Sequence, residues 1–76
     1  MRHHDREVDA RGLNCPLPML RAKRVLTDMP SGQVLRVVTT DPASVRDSQA
    51  FAKHTGHDLI DQGEAAGAFF FFLKRK

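Results

Sequence analysis

Residues 9–18 read Asp9-Ala10-Arg11-Gly12-Leu13-Asn14-Cys15-Pro16-Leu17-Pro18, and they mark the passage from a strand into a helix. Just upstream, Glu7-Val8-Asp9-Ala10 alternates polar and apolar residues, the period of a short strand. Gly12 breaks that pattern. From Pro16 to Met29 the apolar residues Met19, Ala22, Val25, Leu26 and Met29 recur at helical spacing, with Arg21, Lys23, Arg24 and Asp28 on the other side. Proline suits the first helical position, because the N–H it lacks would be unpaired there. Cys15 therefore reads as the N-cap, Pro16 as the first helical residue and Pro18 as the third. The N–H groups of Leu17 and Met19 remain as donors, the first within reach of the sulfur.

Cys15 is the only cysteine. A helix N-terminus carries unpaired N–H groups and a partial positive charge, and both favour a thiolate. Position alone leaves two readings open. One is a reactive thiol at the helix tip. The other is an ordinary proline-rich helix start with a buried, inert cysteine, since cysteine is among the most buried residue types.

Working outward, Pro30-Ser31-Gly32 ends the first helix. Val34 to Thr39 is β-branched and apolar and reads as a strand, with Leu35 and Val37 opposing Val34, Arg36 and Val38. Asp41-Pro42 reads as an N-cap and first helical residue, opening a second helix that runs to about Thr55 with Gly56 as its C-cap. Its inward stripe is weak: Val45, Ser48, Phe51 and Ala52. His57 to Gln62 reads as a third strand, Gly63 to Gly67 as a turn, and Ala68 to Lys74 as a fourth strand. The order β-α-β-α-β-β implies a mixed four-stranded sheet. With two short helices, the economical solution covers one face, giving an α/β (α+β) two-layer sandwich with both helices on the same face. The open face should then expose two phenylalanines of Phe69-Phe70-Phe71-Phe72, a patch suited to docking or weak self-association of an otherwise monomeric chain. Coverage of that face by the N-terminal segment is the alternative.

The chain has 76 residues, the size of one domain over residues 1–76, with residues 1–6 expected as a mobile tail. A lone cysteine argues against a disulfide scaffold and fits a reducing compartment. The polar start Met1-Arg2-His3-His4-Asp5-Arg6 does not resemble a signal peptide, and no apolar run approaches a membrane span. These features suggest a cytoplasmic protein with no membrane partner. The net charge of +3 permits an anionic partner without requiring one.

The segment from Asp9 to Pro18 resembles the signature of the TusA/SirA-like sulfur carrier family, Asp-x-x-Gly-Leu-x-Cys-Pro-x-Pro. The resemblance continues through Thr40-Asp41-Pro42-Ala43-Ser44, Thr55-Gly56-His57 and the basic end of the last strand, from about Val8 to Lys76. It implies the same two-layer sandwich and a persulfide carrier. Cys15 would accept sulfur from a cysteine desulfurase or rhodanese-like donor and pass it to an acceptor protein. Family uses include tRNA thiolation, molybdenum cofactor assembly and sulfur oxidation. Gly12, Leu13, Pro16 and Pro18 fall on the motif around that cysteine. Arg11, close in sequence, is a candidate for stabilising the thiolate, and Leu17, Arg21, Lys23 and Arg24 are candidates for partner docking. No metal and no cofactor is expected beyond the covalent persulfide sulfur. A carrier of this kind would not turn over without its donor and acceptor. This chain departs from better-known members in having Leu17 where they carry an acidic residue between the two prolines.

Three other readings compete. A small basic nucleic-acid-binding domain would use the Phe-rich strand as a stacking platform, but no basic residues interleave the aromatics, and no direct nucleic-acid contact is expected. A redox-active thiol domain would use the same Cys15 with different cargo. A metal site would draw on His54, His57, His3, His4 and Cys15, but their spacing matches no strong zinc pattern.

Overall fold

The computed structural model describes residues 3–76. Its elements are β1 (Arg6–Ala10), α1 (Leu17–Thr27), β2 (Val34–Thr39), α2 (Ala43–Thr55), β3 (Asp58–Ala65) and β4 (Ala68–Lys74). The sheet order is β1-β2-β4-β3. β1 runs parallel to β2, while β4 is antiparallel to both β2 and β3. The closing hairpin therefore inserts its last strand into the middle of the sheet. Helix α1 lies over β1 and β2, α2 lies over β3 and β4, and the two helices touch. This is the expected two-layer α/β sandwich.

Strand alternation decides what faces the helices. Val8 and Ala10 of β1, Leu35 and Val37 of β2, and Leu73 of β4 meet Met19, Ala22 and Leu26 of α1 in one core, with Met29 closing its end. Phe71 lies opposite Val37 in the register and is fully buried. Helix α2 contributes less apolar surface. Phe51 and Ala52 pack against the core, but Val45, expected to face inward, is exposed. In its place Ser44 is buried, Ser48 is buried as expected, and both hydroxyls are satisfied at once. Ser44 donates to the Asp41 carbonyl at 2.6 Å and shares a bond with Thr39, and Ser48 donates to the Val45 carbonyl at 3.0 Å.

The third strand is longer than the sequence suggests. It continues through Gly63 to Ala65, and the turn shrinks to Ala66-Gly67, both at positive φ (52° and 77°). Such a two-residue connection matches the twist of the flanking strands. Gly63 reads as a turn residue only in the sequence. In the sheet it sits opposite Phe70, and a Cβ there would come within 2.6 Å of the Phe70 ring. Gly63→Ala should consequently cost about 1–3 kcal/mol through overpacking, despite removing a flexible glycine from a strand. Urea unfolding checks this, and Phe70→Leu in the same chain should recover part of the loss. A neutral or stabilising Gly63→Ala would mean that the ring moves aside freely.

The Phe-rich strand does not present the exposed patch expected of it. Phe71 and Phe72 are each 1% exposed, one on each face. On the open face the His4 ring meets Phe72 edge-on at 6.0 Å, Phe70 meets it at 6.4 Å, and the Arg36 guanidinium lies 5.6 Å from the Phe70 centroid. Arg36 also donates to Glu7 at 2.8 Å. The covering segment belongs to the stretch expected as a mobile tail. Asp5 N–H donates to the Val34 carbonyl at 2.8 Å, the Asp5 carboxylate accepts from Val34 N–H at 2.9 Å, and Arg6 already opens β1. Met1 and Arg2 lie outside the described residues. Among the described residues of the open face, Phe72 is thus covered and Phe70 half-buried, so the two rings do not form an exposed row.

Candidate functional site

The turn from β1 into α1 sets the site. Gly12 has φ +80°, where side chains are rarely tolerated, and its N–H donates to Thr40 Oγ1 at 2.9 Å. The next residues climb over the end of the sheet, with Leu13 packed against the core. The Cys15–Pro16 peptide bond is cis. Pro16, rather than Cys15, is the N-cap. Leu17 is the first helical residue and Pro18 the second, so Cys15 lies one residue outside the helix. The Leu17 N–H, expected as a donor to sulfur, goes to the Asn14 carbonyl at 2.9 Å. Pro18 is buried, while Cys15 and Pro16 are exposed.

Asp41 holds Cys15 in place. One carboxylate oxygen accepts from the Cys15 N–H at 2.8 Å, and the other accepts from Ala43 N–H at 3.0 Å, at the start of α2. A single side chain thus ties the cysteine to the second helix. The two N–H donors hold the Asp41 carboxyl below the usual carboxylate range. The thiol borders a shallow cleft of about 250 Å³ lined by Cys15, Pro16, Met19, Asp47, Ala50, Phe51 and His54. Its electrostatics run opposite to the expectation of a stabilised thiolate. The Asp47 carboxylate across the cleft, which favours the protonated sulfur, then desolvation, then the charges of Asp47 and Asp41, push the Cys15 thiol up from its ordinary value. Arg11 does not offset this. Its guanidinium is engaged by Asp9 at 2.8 and 2.9 Å, an exposed pair that holds the Asp9 carboxyl at about 2.

The docking candidates separate. Leu17 and Leu20 are exposed on α1 beside the cysteine (47% and 55%). Arg21 and Arg24 line a groove with Glu7, Val8 and Asp9 on one side of α1. Lys23 faces the other side, in a cleft with Thr27, His54, His57, Arg75 and Lys76. The histidines also part. His57 Nδ1 accepts from Lys76 N–H at 3.2 Å, and His3 and His4 pair with Asp5 and Glu7. Among the described residues, no three His, Cys, Asp or Glu side chains gather as a metal site, and no helix is long and apolar enough to cross a membrane.

Comparison with known proteins places this geometry. The sequence model of the family described as sulfurtransferase TusA matches residues 6–75. The chain belongs to the TusA family. It is 56% identical over 75 residues to the sulfur carrier protein TusA of Allochromatium vinosum, covering 99% of each chain. It is 38% identical over 73 residues to the TusA of Pseudomonas entomophila, covering 96% of this chain and 91% of that one. The crystal structure of a SirA-like protein from Desulfitobacterium hafniense superposes with a TM-score of 0.82 at 25% identity, over 92% of this chain and 96% of that one.

In this TusA-family chain, sequence reading located the cysteine but missed both acids beside it. Asp41 was legible only as a helix cap, and Asp47 only as one polar residue on a helix face. Spacing does not reveal that α2 brings Asp47 to a thiol 32 positions earlier in the chain. The carboxylates also fix the acid behaviour of the fold. Asp5, held by Val34 N–H, Asp9, held by Arg11, and Asp41 all have folded values below the ordinary carboxylate value. The stability they contribute is present above about pH 4 and is lost as pH falls through the folded values, toward about 2 for Asp9. His57, pushed down by burial and then by Arg75 and Lys76, acts in the same direction, beginning below its ordinary value near 6.5. The melting temperature should therefore fall in two stages on acidification, and His57→Gln should remove the upper one. A melting temperature that held steady between pH 7 and pH 5 in the parent chain would contradict the His57 assignment.

Proposed function

We propose that this chain carries sulfane sulfur as a persulfide on Cys15, taking it from a cysteine desulfurase or rhodanese-like donor and delivering it to an acceptor protein. The observation that carries the reading is the position of its one cysteine. It is exposed and fixed by Asp41 at the lip of a cleft, on the motif shared with the TusA family. The relative from Allochromatium vinosum, matched almost end to end, is named a sulfur carrier.

The chemistry needs only one sulfur from this chain. Cys15 Sγ attacks the outer sulfur of a donor persulfide, R–S–SH. One S–S bond forms and one breaks, the thiol proton ends on the departing R–S⁻, and Cys15–S–SH and R–SH result. An acceptor thiolate then takes the outer sulfur by the same kind of step, returning Cys15. The exposed Leu17 and Leu20 flank the cysteine as apolar contacts for the partner, with Arg21 and Arg24 beyond them. Leu17 replaces the acidic residue of better-known members, so partner choice here rests on apolar contact at that point. Downstream routes within this reading are tRNA thiolation, molybdenum cofactor assembly or another sulfur relay.

The test is intact mass after incubation with a cysteine desulfurase and cysteine. A gain of one sulfur that reductant removes is expected, and prior alkylation of the thiol should block it. An unloaded chain whose thiol still alkylates would overturn the reading for that donor class, and the same assay with a rhodanese-like donor completes it.

A further inference from the structure

The immediate surroundings of the sulfur oppose the charge of the whole chain. The chain carries a net charge of +3, yet the ionised groups acting on Cys15 are carboxylates. Three titratable groups lie around the cysteine: Asp41, from the loop before α2, accepts from its backbone N–H, and Asp47 and His54 of α2 line its cleft. Asp41 is committed to two backbone N–H groups. Asp47 forms no ion pair among the described residues and lines the same cleft as the thiol, half-buried. From α1 the cleft receives only Met19 beside the capping Pro16, neither of which titrates.

We propose that Asp47 is a specificity-determining residue for exchange at Cys15, favouring partners that bring a cationic group to the sulfur and disfavouring those that bring an anionic one. This deepens the persulfide-carrier reading and takes its physiological meaning from it. In the free chain Asp47 keeps the proton on the sulfur, so the empty carrier is a reluctant nucleophile. A lysine or arginine beside the partner's reactive sulfur pairs with Asp47, cancels its field, and lets the thiolate form at contact. The partner chemistry this fits is a donor or acceptor whose persulfide or thiol is flanked by basic side chains.

The test uses small disulfides in place of the unidentified partner: cystamine (cationic), 2-hydroxyethyl disulfide (neutral) and dithiodiglycolate (anionic). In each exchange Cys15 Sγ attacks one sulfur, one S–S bond forms as one breaks, and the thiol proton ends on the leaving thiolate, with no other oxidant. Rates are measured at pH 7 and low salt for the parent chain, Asp47→Asn and Asp47→Glu. Dividing each parent rate by the Asp47→Asn rate cancels the intrinsic reactivity of the reagent. Relative to the neutral disulfide, that ratio should be roughly two- to fivefold higher for cystamine, the size an exposed ion pair gives, and lower for dithiodiglycolate. The spread should shrink in high salt. Asp47→Glu keeps the charge and should keep the order. Alkylation by neutral iodoacetamide should speed up several-fold in Asp47→Asn. Equal ratios for the three disulfides, or an unchanged alkylation rate, would overturn the proposal. None of these reactions needs a persulfide. A chain that shows the charge order but never gains sulfur from a donor would therefore sink the carrier reading alone.

Discussion

A chain with Cys15→Ser should keep its fold, keep its melting temperature and take up no sulfur at all. The reasons are separable. The cysteine is exposed, and the contact that fixes it is its backbone N–H to Asp41, which serine retains. The new hydroxyl is nearly the same size and borders the same cleft with Asp47. What disappears is the nucleophile, since a hydroxyl at neutral pH is neither ionised nor able to hold a persulfide. No other cysteine can substitute, because the chain has none. The measurement pairs intact mass after donor treatment with thermal unfolding. Reductant-labile sulfur on the serine chain would falsify the assignment of Cys15 as the carrier atom. A lost fold would instead show that the thiol has a structural role that its exposure does not suggest.

Much of the architecture was legible because period and punctuation agree. The row Met19, Ala22, Val25, Leu26 and Met29 was expected on the buried side of the first helix; Met19, Ala22 and Leu26 of α1 are buried, Val25 is half-buried, and Met29 is buried just past its end. Alternation in Val34–Thr39 likewise sorted β2 into two opposing sets, of which the structure turns Leu35 and Val37 to the helices. Reading failed where a residue's role depends on a neighbour distant in sequence. Gly63 looked like a turn because glycine usually punctuates, yet here its missing side chain makes room for the Phe70 ring. Val45 looked like core because it is apolar, yet it is exposed and Ser44 takes an inward position beside the expected Ser48, since partners for both hydroxyls lie within reach. The N-terminal segment looked loose because it is polar, yet Asp5 makes two bonds with the Val34 backbone. At the site the same rule holds. Local sequence left a stabilised thiolate at the helix start and a buried, inert cysteine both open. The helix begins one residue too late for the first, and Asp47 of the other helix, with Asp41 of the loop before it, pushes the thiol up instead. A helix-terminus effect at an exposed position is small, easily outweighed by nearby carboxylates.

The largest stability loss should come from Phe71→Ala. The ring is 1% exposed on the central strand β4, opposite Val37 on the face covered by the helices. Truncating a fully buried phenylalanine typically costs about 3–5 kcal/mol, the lost transfer energy plus the cavity left behind. A domain of 76 residues has in total about 4–11 kcal/mol, at about 0.05–0.15 kcal/mol per residue. The loss is therefore between about a third and all of the stability. Little can collapse to fill the gap, because the neighbouring Val37 and Leu73 are themselves fixed by strand register. In urea the midpoint should drop steeply with the slope unchanged, the sign of a destabilised but still two-state domain. Phe70→Ala is the matched control. Its ring is only half-buried on the open face, so its removal should cost less, even though it uncovers Gly63 and one side of Phe72. Should Phe70→Ala prove the more costly of the two, the open face and not the helix-covered one would hold the critical packing.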